Sequence, residues 1–162
     1  MMVSLMINSF LDRFKKPHLS ADRKTMELAL KGQCIPVIRK QGFKGSFPNF
    51  YREDEGFVAL VNFQFISSGG SFCVNLAYTN PERSNIHPQS NTAAKNIRIY
   101  SINLNDRCRM GSVNGEDPWF CFGKTNYGMF RSKPIPVKDI ALKCSQLFLS
   151  EAENWWLEKK NI

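Results

Sequence analysis

The sequence predicts an α+β fold: an antiparallel sheet of about five strands, with an N-terminal and a C-terminal helix packed on one of its faces. Three observations carry this. The stretch 42–79 holds three apolar, aromatic-rich runs separated by the turn-like breaks REDEG and SSGG, the pattern of short strands joined by tight connections. Residues 20–41 and 137–159 each carry an apolar stripe at steps of three and four, the period of a helix packed along one side. Finally, 162 residues with 43% hydrophobic content and 13 Phe suffice for one aromatic-rich core and leave little room for two. Residues 1–162 are therefore read as one domain.

Residues 1–18 read as a short amphipathic helix, with Leu5, Phe10, Leu11 and Phe14 as its apolar positions, or as an N-terminal arm. The opening MMVSLMINSFLDRF has no basic leading region and no small-residue cleavage site, so a secretory leader is not expected. No apolar run approaches the roughly 20 residues that span a bilayer. A cytoplasmic protein without membrane contact is expected.

Ser20 has the side chain of an N-cap, with Asp22 in the first turn. Met26, Ala29, Leu30, Cys34, Val37 and Ile38 form the stripe of the first helix, Pro36 interrupts it, and Gly42 stands where a C-terminal glycine belongs. The first strand is expected around Phe47–Arg52. In the second, Phe57–Ile66, the odd positions Phe57, Ala59, Val61, Phe63 and Phe65 are all apolar, whereas the even positions include Asn62 and Gln64. Side chains alternate across a strand, so the odd set is the core face. In the third strand, Ser71–Thr79, Phe72, Val74, Leu76 and Tyr78 oppose Cys73, Asn75, Ala77 and Thr79. Asn62, Gln64 and Asn75 are thus expected on one exposed sheet face, either a solvated face or a partner's.

Residues 80–96 are polar and turn-rich, a long loop of the kind that tends to carry function. Ile97–Leu104 reads as a strand or an irregular arm. Asp106–Gly111 (DRCRMG) and Pro118–Gly123 (PWFCFG) read as two last strands joined by SVNGED, with Arg107 and Arg109 on one face, Cys108 and Met110 on the other, and Cys108 able to oppose Cys121. After a loop at 124–133, the last helix presents Val137, Ile140, Ala141, Cys144, Leu147, Phe148, Ala152 and Trp155. Adjacent Trp155 and Trp156 point about 100° apart on a helix, so one can be core while Trp156 stays exposed.

Chemistry-bearing patterns are absent. Neither His18 nor His87 has metal-site spacing, and the five cysteines, odd in number and without a C-x-x-C pair, read as reduced thiols rather than a disulfide or zinc framework. No nucleophile elbow, phosphate loop or dinucleotide fingerprint occurs. A non-enzymatic protein without cofactor or metal is expected.

The net charge of +8 is uneven: residues 1–50 carry nine Lys/Arg against three acids, and 95–133 seven against three, flanking an acidic patch at Glu53, Asp54 and Glu55. Such a balance favours nucleic acid, an anionic membrane or an acidic protein partner. A nucleic-acid- or anion-binding domain would use the N-terminal zone with Arg23, Lys24 and Lys31, but no RNA-binding signature accompanies it.

A helix ending in Gly42-Phe43, then NFYR, VNFQ and FCVNLAY, then RCRMG (107–111) and DPWF (117–120), resembles the bacterial family known as domain of unknown function 4304. Ala77 stands where that family commonly has glycine, and Phe120 where it has a second tryptophan. The resemblance implies a small bacterial protein of the kind that serves as immunity partner to polymorphic toxins of Rhs and type VI secretion systems. Such a protein would bind and neutralise a cognate toxin domain by blocking its active site or target surface. Its partner would have an acidic surface, an ADP-ribosyltransferase fitting better than a cationic nuclease. Asn62, Gln64 and Asn75 would supply hydrogen bonds, Arg107 and Arg109 would steer the acidic partner, and His87 in the loop and Trp156 as anchor complete the candidate surface.

Overall fold

The computed structural model describes residues 17–67, 70–87, 92–112, 118–122 and 135–162, with the side chains of 17–21 outside the description. Residues 1–16 of the expected N-terminal helix or arm, and the loop at 124–133, lie outside the described residues.

The first helix, α1 (Pro17–Lys40), starts three residues before Ser20, which is therefore inside the helix and not its cap. Proline suits a first helical position, where its missing N–H has no partner to lose. Met26, Leu30, Cys34 and Ile38 follow at strict four-residue steps and are completely buried. The helix closes as expected at Gly42, whose φ of 87° permits the Phe43 N–H to reach the Ile38 carbonyl (3.4 Å) and the Gly42 N–H to reach that of Arg39 (3.0 Å). This paired closure satisfies two end carbonyls.

The sheet is antiparallel, in the order β1 (Lys44–Ser46), β2 (Asn49–Asp54), β3 (Phe57–Phe65), β4 (Ser71–Thr79) and β5 (Arg107–Arg109), with β6 (Phe120–Cys121) also on β4. The fold class expected from the sequence is the observed one, with the short β1 added at the edge. β5 pairs with residues 75–77 of β4 and β6 with residues 71–72. Nine-residue β4 has room for both end to end, so β5 and β6 are not neighbours and Cys108 does not oppose Cys121. No disulfide joins any of the cysteines.

Both helical segments cover the odd face of the sheet. Phe57, Ala59, Val61 and Phe63 of β3 join Phe72, Val74 and Leu76 of β4, the α1 stripe and the C-terminal stripe in one core. The C-terminal segment consists of α2 (Val137–Leu147), a π turn (Phe148–Ala152) and α3 (Glu153–Lys160). Its buried positions Cys144, Phe148, Ala152 and Trp156 recur every four residues. In a helix of 3.6 residues per turn such a series drifts about 40° per step; the wider π turn takes up that drift. The Cys34 and Cys144 thiols meet at 3.6 Å between α1 and α2.

Trp156 consequently is not the exposed anchor. It is 2% exposed, packs on Phe43 at 5.2 Å and Phe148 at 5.8 Å, and donates its Nε1–H to the Ala77 carbonyl at 2.9 Å. Being in register with the four-residue stripe, it turns inward, and half-buried Trp155 takes the flank against Tyr78.

The opposite sheet face is not open either. Residues 86–87 and 92–106 fold over it through 3₁₀ turns at Ala94–Asn96, Ile99–Ser101 and Leu104–Asp106 and an Ile86–Ile102 bridge. Ile97–Leu104 is therefore the irregular arm and not a strand. Ile86, Ala94, Ile97, Ile99 and Ile102 bury Val58, Leu60 and Ala77 in a second, smaller core.

Trp156→Ala is expected to cost roughly 3–5 kcal/mol through the cavity it leaves. Trp156→Phe, which removes this one bond to the Ala77 carbonyl, is expected to cost about 0.5–1.5 kcal/mol. Urea midpoints at unchanged denaturant slope measure both.

Candidate partner-binding concavity

Where the covering arm stops short of the sheet edge, a concavity of about 310 Å³ opens. Gln64 and Asn75 come to it from β3 and β4, Arg107 and Arg109 from β5, and Ile99, Tyr100 and Leu104 from the 3₁₀ turns. Strand register explains the meeting. Asn49, Asn62, Asn75 and Arg109 stand directly opposite one another across β2, β3, β4 and β5, and residues paired in this way share a face.

The amides form a chain of hydrogen bonds along this row. Asn62 Nδ2 donates to Asn49 Oδ1 at 2.9 Å, while Asn75 Nδ2 donates to Asn62 Oδ1 at 3.2 Å and to Gln64 Oε1 at 3.0 Å. Asn62 is buried, and Gln64 and Asn75 are half-buried. The expectation of three exposed amides is thereby corrected: Asn62 is taken up by its neighbours, because buried amide groups must find partners. Gln64 and Asn75 still reach the concavity.

Among the described residues, Arg23, Arg52, Arg83 and Lys160 each pair with a carboxylate, whereas Arg107 and Arg109, like Arg39 and Arg98, have none. The Arg109 guanidinium lies over the Trp119 ring at 5.0 Å, which steadies it. Arg107 Nε is buried with no hydrogen-bond partner among the described residues. The rim is apolar: Tyr100 is 62% exposed and Leu104 78%.

The nearest thiols offer no nucleophile. Burial pushes Cys73 up, partly offset by Arg109. Burial and then Glu151 push Cys108 up to about 12, so the neutral thiol dominates at physiological pH. Among the described residues no cluster of His, Cys, Asp or Glu could hold a metal ion, and no helix is long and apolar enough to cross a membrane.

The structure brings Gln64, Asn75, Arg107 and Arg109 together and places Asn62 beneath them. His87 is exposed on the covering arm, its backbone N–H bonded to the Ser101 carbonyl at 2.7 Å, and it does not line the concavity; Trp156 lies on the far face of the sheet. Ile99, Tyr100 and Leu104 of the lining, and Asn49 at the end of the amide row, are the residues that sequence reasoning missed. An asparagine in each of three successive strands was the available signal for Asn49. Nothing in the irregular arm marked the other three.

Two further hollows carry less. A groove of about 610 Å³ between the β2–β3 hairpin and α3 is laced by the Arg52–Glu153 and Lys160–Asp54 pairs. One of about 290 Å³ at the β1–β2 turn includes Lys95 and Arg98, but Arg98 spends donors on the carbonyls of Lys95 and Ile97. In the N-terminal basic zone, Arg23 pairs with Glu27 and lies over Phe65, and Lys31 lies over Phe47.

The arm that frames the concavity is anchored at Asp106. Its carboxylate accepts from the Tyr78 hydroxyl at 2.6 Å and from Asn85 Nδ2 at 3.0 Å. Burial first, then the bond to Asp106 and its charge, push the Tyr78 phenol up to about 12 from its usual 10.0. A pKa raised on folding stabilises fully below the unfolded value and loses that stabilisation as pH rises through the folded one. Stability is therefore expected to fall between pH 10 and about 12, and Tyr78→Phe to lack that component when urea midpoints of the two proteins are compared across the alkaline range. Asn62→Ala, which leaves Asn49 Oδ1 without its donor and takes from Asn75 Nδ2 one of its two acceptors, is expected to cost about 1–3 kcal/mol by the same measurement.

No curated protein and no solved structure is significantly similar to this chain. The model of one family, described as a domain of unknown function (DUF4304), matches residues 34–130. That span runs from the middle of α1 through the whole sheet and the concavity, more than half of the sequence. The chain belongs to the DUF4304 family.

Proposed function

We propose that this protein is a non-enzymatic binding module that acts as an immunity protein, occluding the active site or target surface of a cognate toxin domain. One observation supports this above the rest: two arginines without a carboxylate partner among the described residues stand beside half-buried amides and an exposed Tyr–Leu rim, in a single concavity. Arginine and tyrosine are the residue types that dominate binding energy at protein interfaces, most of all when set in a hollow that sheds water. A standard interface takes about 800 Å² from each partner, so the concavity would be its centre and the covering residues 92–106, with exposed His87, part of its rim.

The charge arrangement favours a partner with an acidic face at the contact. That is the surface expected of a toxin acting on a nucleotide cofactor or on a protein, an ADP-ribosyltransferase among them, more than of a cationic nuclease. The immunity role itself rests on the family resemblance of the motifs, with the concavity as its physical counterpart. Unpaired charges at a rim raise association rates by steering and select against partners of like charge.

Co-expression with the C-terminal region of a large repeat-containing toxin encoded upstream tests the reading. The wild-type protein is expected to protect the host cell. Arg107→Glu with Arg109→Glu is expected to abolish protection, while Arg23→Glu, Lys24→Glu and Lys31→Glu together leave it intact. Killing in the presence of folded wild-type protein would refute the immunity role.

A further inference from the structure

We infer that the concavity accepts an extended acidic segment of the partner, with two carboxylates two residues apart and an apolar side chain beside them. The inference rests on the partner-binding reading of this site and specifies what enters it. Arg107 and Arg109 are alternate residues of one strand, opposite Ala77 and Asn75, so their side chains leave the same face about 6.6–6.8 Å apart along the strand. An extended segment repeats its own same-face side chains at that interval. An acid-x-acid sequence would therefore meet both guanidinium groups at once, each able to take a carboxylate bidentately. A helix about 10–12 Å across is too broad for a hollow of about 310 Å³.

The remaining lining fits the same occupant. Tyr100 and Leu104, 62% and 78% exposed, form an apolar shelf across from the arginines and offer a place for one aliphatic or aromatic side chain. An extended segment also presents backbone carbonyls and N–H groups at right angles to its side chains. Gln64, whose Oε1 already accepts from Asn75, faces the hollow with an amide nitrogen that can donate to such a carbonyl. Charge supports the choice of sign: among the described residues no carboxylate pairs with either arginine, so an incoming anion displaces none of these.

The test is an NMR titration of the full chain with short capped peptides to millimolar concentration. One contains Asp-Leu-Asp, a second Asn-Leu-Asn, and a single-stranded oligonucleotide serves as the competing anion. The Asp peptide is expected to bind and to shift the resonances of Gln64, Asn75, Tyr100 and Leu104. Its affinity should fall about tenfold with each of Arg107→Gln and Arg109→Gln and severalfold with Leu104→Ser, whose exposed position leaves the fold intact. Binding should also weaken steeply with added salt. Equal binding of the Asp and Asn peptides, no binding of the Asp peptide, or preference for the oligonucleotide at these residues would each overturn the inference. The two proposals separate cleanly. If the Asp peptide fails while Arg107→Glu with Arg109→Glu still abolishes protection in the cell, the acidic segment falls and partner binding stands. If the peptide binds but the wild-type protein does not protect, the immunity role falls and the acidic segment stands.

Discussion

The Arg52 side chain holds the layers of this protein together. Its guanidinium donates to both oxygens of Glu153 on α3, at 3.0 and 2.9 Å, and to the Gln41 carbonyl just past the end of α1, at 2.8 Å. It also lies over the rings of Phe43, at 4.5 Å, and Trp156, at 5.8 Å. One planar, permanently charged group thus ties the end of the first helix, the second strand and the last helix at a single point. Lysine could match neither the fork nor the stacking. The pair is half-buried, where a bidentate bond is less screened than on an open surface, and its geometry keeps Trp156 seated on the sheet.

From there the constraint passes through β4 to the other side. Trp156 bonds the Ala77 carbonyl, and Ala77 is paired with Arg107. Asn75, two residues back on the same strand, stands opposite Arg109. The helix-side core and the concavity are the two faces of the same few residues of β4. Gly111 extends the link, its N–H bonded to the Glu151 carboxylate of the π turn at 2.7 Å. The irregular turn in the last helix therefore lies next to the end of the strand that carries both arginines. Local distortions of this kind often mark function; here the turn offsets the drift of a four-residue burial pattern that α1 carries without one, and it places Glu151 against Gly111.

Much of this was legible in the sequence where a regular period was at work. Alternation along β3 and β4 separated the core face from the amide face, the four-residue stripe from Met26 to Ile38 marked α1, and the spacing of Arg107 and Arg109 put them on one side. Legibility failed where periodicity does. Ile86, Ala94, Ile97, Ile99 and Ile102 follow no helical or strand interval, because they come from 3₁₀ turns and single bridges, so the second core was invisible and the amide face looked open. The tryptophans failed for a different reason. Helical spacing sets the two neighbours about 100° apart, so that one turns inward, but which one depends on a π turn that shifts the helix phase. Asn49 could not be placed without the register between β2 and β3.

The amide row has a consequence for how any occupant of the concavity would be recognised. Asn75 gives both bonds of its amide nitrogen to neighbours, and Asn62 is locked between two asparagines, so these groups are already oriented before a partner arrives. Ordering side chains at an interface commonly costs about 0.5–1.5 kcal/mol for each. Gln64 and Asn75 are spared much of that, as is Arg109 against Trp119. The same order makes the surface unforgiving. A row of satisfied amides cannot swing out to accommodate a cation, and two arginines side by side repel one. Selectivity at this site would then come as much from what the fixed side chains refuse as from what they bind, which is the way a small rigid surface discriminates among partners of similar size.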